Sequence, residues 1–256
     1  MAHVKKQSAK SRLDALLVER GLAETRTRAQ ALIRAGIVFS NDRRLDKPGT
    51  AVGDDIEIEL RGKPHPWVSR GGVKLAHALD HFGLDPRGRV CLDIGASTGG
   101  FTDVLLTRGA ARVHAVDVGR GQLDWRLRQD ARVVVLEGVN ARYLTSEHVP
   151  EAFGFITCDA SFIGLETVLP APLALTAPGA RLVALIKPQF EVGKGQVGTG
   201  GVVRDPDLHE EVCARIEAWL GAQAGWRVLG LTESPILGPE GNKEFLIAAA
   251  RDGVSD

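Results

Sequence analysis

The stretch Val90-Cys91-Leu92-Asp93-Ile94-Gly95-Ala96-Ser97-Thr98-Gly99-Gly100-Phe101 gathers residue types that can do chemistry. An apolar run ends in an acid, breaks into small residues and glycines, and resumes as Thr102-Asp103-Val104-Leu105-Leu106. This reads as a buried strand, a tight turn and a helix. Glycines in such a turn let a ligand approach the backbone, and the new helix offers unpaired N–H groups. The same letters spell G-x-S-x-G over Gly95, Ser97 and Gly99, the pattern of a serine nucleophile on a strand-to-helix turn. One segment thus offers two chemistries, cofactor binding or nucleophilic catalysis.

A serine nucleophile of that type needs an acid and then a histidine in a loop after a late strand. Downstream of Ser97, His114 falls within a strand and His148 in a polar loop before Pro150. His209 falls inside the helical pattern that starts at Asp205, where a solvated face is expected. None is placed for a triad. The cofactor reading fares better. The run Arg112-Val113-His114-Ala115-Val116-Asp117 ends in an acid 22 residues beyond Gly95. A carboxylate there can accept both hydroxyls of a bound ribose. The G-x-G-x-x-G pattern of pyrophosphate binders is not met, and no phosphate-binding Walker loop surrounds Gly193-Lys194-Gly195. Asp93 in the turn would repel phosphates and favour an ammonium. A nucleoside joined to a zwitterionic amino acid, S-adenosylmethionine, satisfies both requirements.

Two later strand ends carry further chemistry. One is Thr157-Cys158-Asp159-Ala160-Ser161-Phe162, the other Leu185-Ile186-Lys187-Pro188-Gln189-Phe190. The carboxyl ends of strands in an open α/β sheet face the ligand crevice. A lysine ending an apolar strand opposite Asp159 is a candidate catalytic group. The glycine-rich stretch Glu191 to Arg204 has no periodicity and reads as a binding loop or lid.

The elements that position these groups follow from periodicity. Helix is expected at 74–82, 99–108, near 164–175 and at 206–221. Strand is expected at 89–94, 112–118, 132–137, 154–159, 181–187, 226–232 and 244–250. This alternation implies a largely parallel sheet covered by helices on both faces, with the last two strands as an antiparallel hairpin at its edge. Before it, Leu13, Leu16, Leu17 and Val18 mark one short helix stopped by Gly21. Thr25 caps a second, with Ala29, Leu32, Ile33 and Gly36 on one face. Ile37 to Phe39 and the alternating Asp55 to Leu60 read as strands around a turn at Asn41-Asp42, and Arg61 to Trp67 as a linker.

With 256 residues and 44% hydrophobic content, the chain can bury a sizeable core. It has no 18-residue apolar run, and its basic start lacks the apolar stretch of a signal peptide, so a cytoplasmic, membrane-free protein is expected. Cys91, Cys158 and Cys213 lack metal-ligand spacing and read as reduced core thiols. Net charge is zero, yet residues 1–48 hold 11 Lys and Arg against 5 Asp and Glu. A basic first module on an acidic second one suggests that the first handles a polyanion.

The chain resembles the TlyA-type ribosomal RNA 2′-O-methyltransferases, also called the hemolysin A family. These are relatives of the FtsJ ribose methyltransferases with an S4 RNA-binding domain in front. Five segments carry the resemblance: Arg12-Leu13-Asp14, Val68 to Leu75, Asp93 to Phe101, Lys187 to Lys194 and Gly238 to Glu244. It spans nearly the whole chain, from Arg12 to about Ala250. It implies an α/β, Rossmann-like methyltransferase fold with a seven-stranded, mostly parallel sheet, preceded by a small α+β S4-like domain. The expected divisions are 10–61 for the S4-like domain, 62–73 for a linker and 74–252 for the methyltransferase domain. The family's Lys–Asp–Lys–Glu tetrad falls on Lys74, Asp159, Lys187 and Glu244. The S-adenosyl-L-methionine set falls on Asp93, Gly95, Ala96, Ser97, Thr98, Gly99, Gly100, Phe101, Asp117, Val118, Asn140 and Asp159. Arg12, Arg26, Arg28, Arg34 and Arg44 are the candidate RNA-gripping residues.

The implied partner is ribosomal RNA within ribosomal subunits, with no metal. Members that act on both subunits carry an extension after the last strand, whereas this chain stops at Asp256. The 23S rRNA cytidine is therefore the expected target and 16S rRNA a further one. Lys187 either accepts the hydroxyl proton or only positions the hydroxyl. The competing readings are a non-catalytic RNA-binding assembly factor and a membrane-active hemolysin.

Overall fold

The computed structural model describes residues 10–41, 43–61, 65–193 and 195–253. Asp42 of the expected turn, residues 62–64 of the expected linker and Lys194 of the glycine-rich loop lie outside the described residues. The chain divides into two compact units, residues 1–66 and 67–256.

The first unit runs β1 (Lys10–Arg12), α1 (Leu13–Glu19), α2 (Arg26–Arg34), β2 (Val38–Ser40), β3 (Arg43–Arg44), β4 (Ala51–Gly53) and β5 (Glu59–Leu60). Both expected helices form, and the Thr25 side chain accepts from the Arg28 N–H as the cap of α2. Leu13, Leu16, Leu17, Ala29, Ile33 and Val38 bury together as this unit's core. The strands differ from expectation. β1 pairs with β4, and β2 takes β3 and β5 on its two sides. Only Glu59 and Leu60 of the alternating run are strand, because Ile56 and Ile58 turn inward onto the helices instead of extending a ladder.

The second unit holds a seven-stranded sheet. Its strands are β6 (Val90–Ile94), β7 (Arg112–Asp117), β8 (Val133–Glu137), β9 (Phe153–Cys158), β10 (Thr176–Ile186), β11 (Trp226–Glu233) and β12 (Phe245–Arg251). The order is β11-β12-β10-β9-β6-β7-β8. Pairings from β10 to β8 are parallel, whereas β12 runs antiparallel to both β10 and β11. The expected hairpin is present, with β12 inserted between β10 and the edge strand β11. The helices are α3 (Gly71–Phe82), α4 (Gly100–Thr107), α5 (Trp125–Arg128), α6 (Leu165–Val168), α7 (Pro170–Ala174), α8 (Pro188–Glu191) and α9 (Pro206–Gly221). α3 begins at Gly71, three residues before the expected start, and the helix expected near 164–175 is split by Pro170 into α6 and α7.

Period-two alternation sends the strand side chains into two cores. Leu182, Ala184 and Ile186 bury on one face with Leu92, Ile156, Ile216 and Leu220. Val183 and Leu185 bury on the other with Leu75, Leu79, Val104, Leu105 and Phe155. Each of the Val, Leu, Ile and Phe side chains among these contributes roughly 1.5–3 kcal/mol through burial. The face covered by α3 and α4 is the one toward which Asp93, Asp159, Lys187 and Glu244 continue the alternation.

Burial pushes the thiols of Cys91 and Cys158 up to about 12 and that of Cys213 to about 11, so all three are poor nucleophiles. His209 departs from expectation. It is buried, not solvated, and its Nε2 lies 3.0 Å from the Val203 carbonyl, an anchor for the chain leading into α9.

Candidate active site

Strand ends and a helix bring four charged groups into two ion pairs. Lys187 follows β10, and its Nζ lies 2.7 Å from Asp159 Oδ1 at the end of β9. The same ammonium donates to the Asp159 carbonyl at 3.2 Å and to Ser161 Oγ at 3.0 Å. Glu244 precedes β12, and its Oε2 accepts from Lys74 Nζ of α3 at 2.5 Å. The Ile186–Phe245 register pair places Lys187 and Glu244 side by side just beyond the ladder. Lys74 and Lys187 are each 7% exposed and Glu244 1%, so charge here is compensated within the protein, not by water. A Cβ at Gly238 would lie 2.2 Å from Glu244 Oε1, so only glycine leaves that carboxylate its place. A Cβ at Gly71 would come within 3.8 Å of Asp159 Oδ2, which sets the start of α3 against the first pair.

Beside these pairs lies a cleft of about 430 Å³ at the carboxyl ends of β6, β7 and β9. Of the expected cofactor set, Gly95, Ser97, Asp117, Val118, Asn140 and Asp159 line it. Gly95 has φ 78°, and a Cβ there would meet the Asp159 carbonyl at 2.9 Å. The turn after β6 thereby runs against the end of β9. Asp117 accepts from the Ser97 N–H at 2.8 Å and from the Gly119 N–H at 2.7 Å, which fixes its carboxylate at the rim. This charged rim acceptor, with the apolar Val116, Val118, Val139 and Ile163, suits a nucleoside with a flat apolar base and a hydroxylated sugar.

The remaining expected cofactor residues do not line the cleft. Ala96, Gly99, Gly100 and Phe101 are buried behind the turn, and Thr98 is exposed away from it. Asp93 is fully buried, and its carboxylate accepts from Thr102 Oγ1 at 2.6 Å and Thr157 Oγ1 at 3.1 Å. The strand pleat aims Asp93 at α4 instead of out through the strand end. It braces the turn from behind and is not placed to meet an ammonium. Burial raises its carboxyl to about 6, against the two threonine hydrogen bonds.

Residues outside the expected cofactor set complete the wall, three of them from the strand end Asp159 to Phe162 that was expected to face the crevice. Gln122, Ala160, Ser161, Phe162, Ile163 and Val168 line the cleft. Phe162 is 89% exposed at φ 65°, its ring tilted onto Phe190 with centroids 4.8 Å apart. An aromatic directly after a polar strand end was the available signal for it. Among the described residues, no group of three or more His, Cys, Asp or Glu is placed to hold a metal ion. None of the described helices is long and apolar enough to cross a membrane.

In the first unit Arg12, Arg26, Arg28, Arg34 and Arg44 are all exposed. Arg12 and Arg26 are also tied to the buried Asp14, at 2.9 and 3.3 Å.

A seven-stranded sheet with one antiparallel insertion and a cleft at its parallel strand ends defines a Rossmann-like methyltransferase fold. Comparison with known proteins specifies which kind. The FtsJ-like methyltransferase model matches residues 67–251 and the S4 domain model residues 11–57. The chain is 50% identical to the 16S/23S rRNA (cytidine-2′-O)-methyltransferase TlyA of Mycobacterium tuberculosis, over 93% of this chain and 89% of that one. It is 37% identical to the 23S rRNA (cytidine-2′-O)-methyltransferase TlyA of Campylobacter jejuni, over 75% and 73%. A solved structure described as a hemolysin from Streptococcus thermophilus superposes with a TM-score of 0.74 at 44% identity, covering 96% of this chain and 90% of that one. The chain belongs to the FtsJ-like methyltransferase family, in its S4-bearing TlyA branch.

Proposed function

We propose that the protein transfers a methyl group from S-adenosylmethionine to the 2′-hydroxyl of a cytidine in ribosomal RNA. The observation that carries this reading is Asp159, which lines the cleft and grips Lys187 at 2.7 Å. Cofactor site and charged pairs therefore share one residue. Relatives described as rRNA (cytidine-2′-O)-methyltransferases support the substrate class.

Bound S-adenosylmethionine supplies an already activated methyl, so the chain's work is alignment and removal of one proton. Asp117 at the cleft rim would hold the ribose of the cofactor, and Gly95 and Ser97 of the turn would lie against the cofactor beside it. Lys187 is ion-paired with the cleft residue Asp159, where it can hold the attacking hydroxyl by hydrogen bonding. Its ammonium donates to the Asp159 carbonyl and to Ser161 Oγ and is ion-paired with Asp159 Oδ1. Taking up the hydroxyl proton would require the neutral amine of Lys187, whose lone pair would accept it to give the ammonium. Glu244 neutralises Lys74 alongside. Phe162 presents an exposed ring on which a nucleobase can stack.

The test uses labelled S-adenosylmethionine with separate 30S, 50S and 70S particles, for the wild type and Lys187→Ala. Label in RNA from the wild type and its loss in the variant support the reading. No label with any particle overturns it, and equal labelling by both overturns the role of Lys187.

A further inference from the structure

The RNA-facing unit contains a buried acid that the transfer chemistry does not use. Asp14 is the second residue of α1 and is 0% exposed. Arg12 Nε and Nη2 donate to its two oxygens at 3.0 and 2.9 Å, a parallel two-bond grip. Gln30 Nε2 donates to Oδ2 at 2.9 Å, and Arg26 Nη2 reaches both oxygens at 3.4 and 3.3 Å. Arg12 holds the Asp14 carboxyl well below the ordinary carboxylate range, so the acid stays ionised. Both guanidinium side chains nevertheless remain more than half exposed, at 54% and 57%.

The donor count is decisive. A guanidinium carries five N–H groups in a fixed plane. Arg12 commits its Nε–H and one Nη2–H to Asp14. Its Nη1 and outer Nη2 hydrogens form a second edge with the parallel geometry that matches a phosphate. Arg26 spends one nitrogen and keeps its Nε and Nη1 hydrogens. An arginine that waves freely must give up rotamer freedom to grip a ligand, whereas these two give it up in folding.

We propose that Asp14 is a positioning residue that presets Arg12 and Arg26 as a fork for one phosphate of the RNA backbone. This deepens the RNA reading above and rests on it. The fork carries two cations against one anion. The acid lowers the local positive charge, yet it strengthens the site by fixing its geometry.

That opposition gives a test by sign. The full chain is titrated with a labelled 23S rRNA transcript over a series of KCl concentrations. Asp14→Asn keeps the size and removes the negative charge. A surface acting through net charge alone would bind RNA more tightly after this change. The expected result is weaker binding, by about tenfold, with a shallower salt dependence. Arg12→Lys keeps the charge and loses the fork, and the same loss is expected, with Asp14→Asn adding little on that background. Equal or tighter binding by a folded Asp14→Asn overturns the proposal. If circular dichroism shows that this variant does not fold, unchanged affinity of Arg12→Lys overturns it instead. No RNA binding by the wild type overturns the RNA reading itself, before any variant is compared.

Discussion

Lys187 Nζ sits 2.7 Å from Asp159 Oδ1, where the ends of two neighbouring parallel strands converge. The contact joins the cofactor cleft to the group expected to meet the hydroxyl. Lys187→Ala should lower single-turnover methyl transfer by about 100-fold or more. Its S-adenosylmethionine affinity should stay near that of the wild type, because Lys187 is not part of the cleft wall. Asp159→Asn, in contrast, should weaken both. Equilibrium dialysis with labelled cofactor separates the two cases. A parallel loss of affinity in Lys187→Ala would contradict this division of roles.

Lys74 and Glu244 form a pair buried in an apolar face, at 2.5 Å. Removing one partner strands the other, at a cost of about 3–5 kcal/mol. Glu244→Leu should therefore lower Tm by about 10 °C for a unit of this size. The double change with Lys74→Met should restore most of the stability and none of the activity. Calorimetry of the three variants checks this, and a double variant as unstable as the single one would refute it.

Asp93 makes a pH-dependent contribution. Its carboxyl titrates at about 6 in the folded chain, above its unfolded value, because burial disfavours the charged form. A raised carboxyl favours the native state while protonated, and that contribution is lost as pH rises through about 6. The size is roughly 3 kcal/mol at most. Asp93→Asn mimics the protonated form. Its advantage in Tm over the wild type should grow from about pH 4 to pH 7 and then level off. A Tm difference that is flat across this range would show that Asp93 is not titrating there.

Gly95 combines a left-handed backbone with a 2.9 Å approach of its absent Cβ to the Asp159 carbonyl. Gly95→Ala should cost about 1–3 kcal/mol of stability and push the turn away from β9. Cofactor affinity should fall more than stability requires, because the turn and the end of β9 are two walls of one cleft. Affinity measured well below the variant's Tm tests this, and an unchanged Kd would count against the turn as a cofactor wall.

How much of this was legible in the sequence depended on whether the signal was local. Most strand positions and the longer helices from Val90 to Arg251 followed from alternation and periodicity, because each buries a face that its own residues define, whereas the short α5 and α8 and the early start of β10 at Thr176 carried no such signal. Asp117 and Lys187 were visible as polar residues ending apolar runs. Lys74 and Glu244 had no such signal, and only likeness to a family pointed to them. What the fold decided was direction. The pleat carried Asp93, Asp159, Lys187 and Glu244 to the one face that α3 and α4 cover, and there Asp93 was taken up by Thr102 of α4. His209 read as solvated because its helix is polar around it, but packing behind α9 buried it. Asp14 stood in the sequence only as part of the Arg12-Leu13-Asp14 segment, and the packing of α2 brought Arg26 and Gln30 across to it. Sequence alone determined the elements and most of the reactive residue types, since local hydrophobic pattern governs both. Tertiary structure alone decided which charges meet, because ion pairs between Lys74 and Glu244, 170 positions apart, depend on strand order and on the side of the sheet each residue faces.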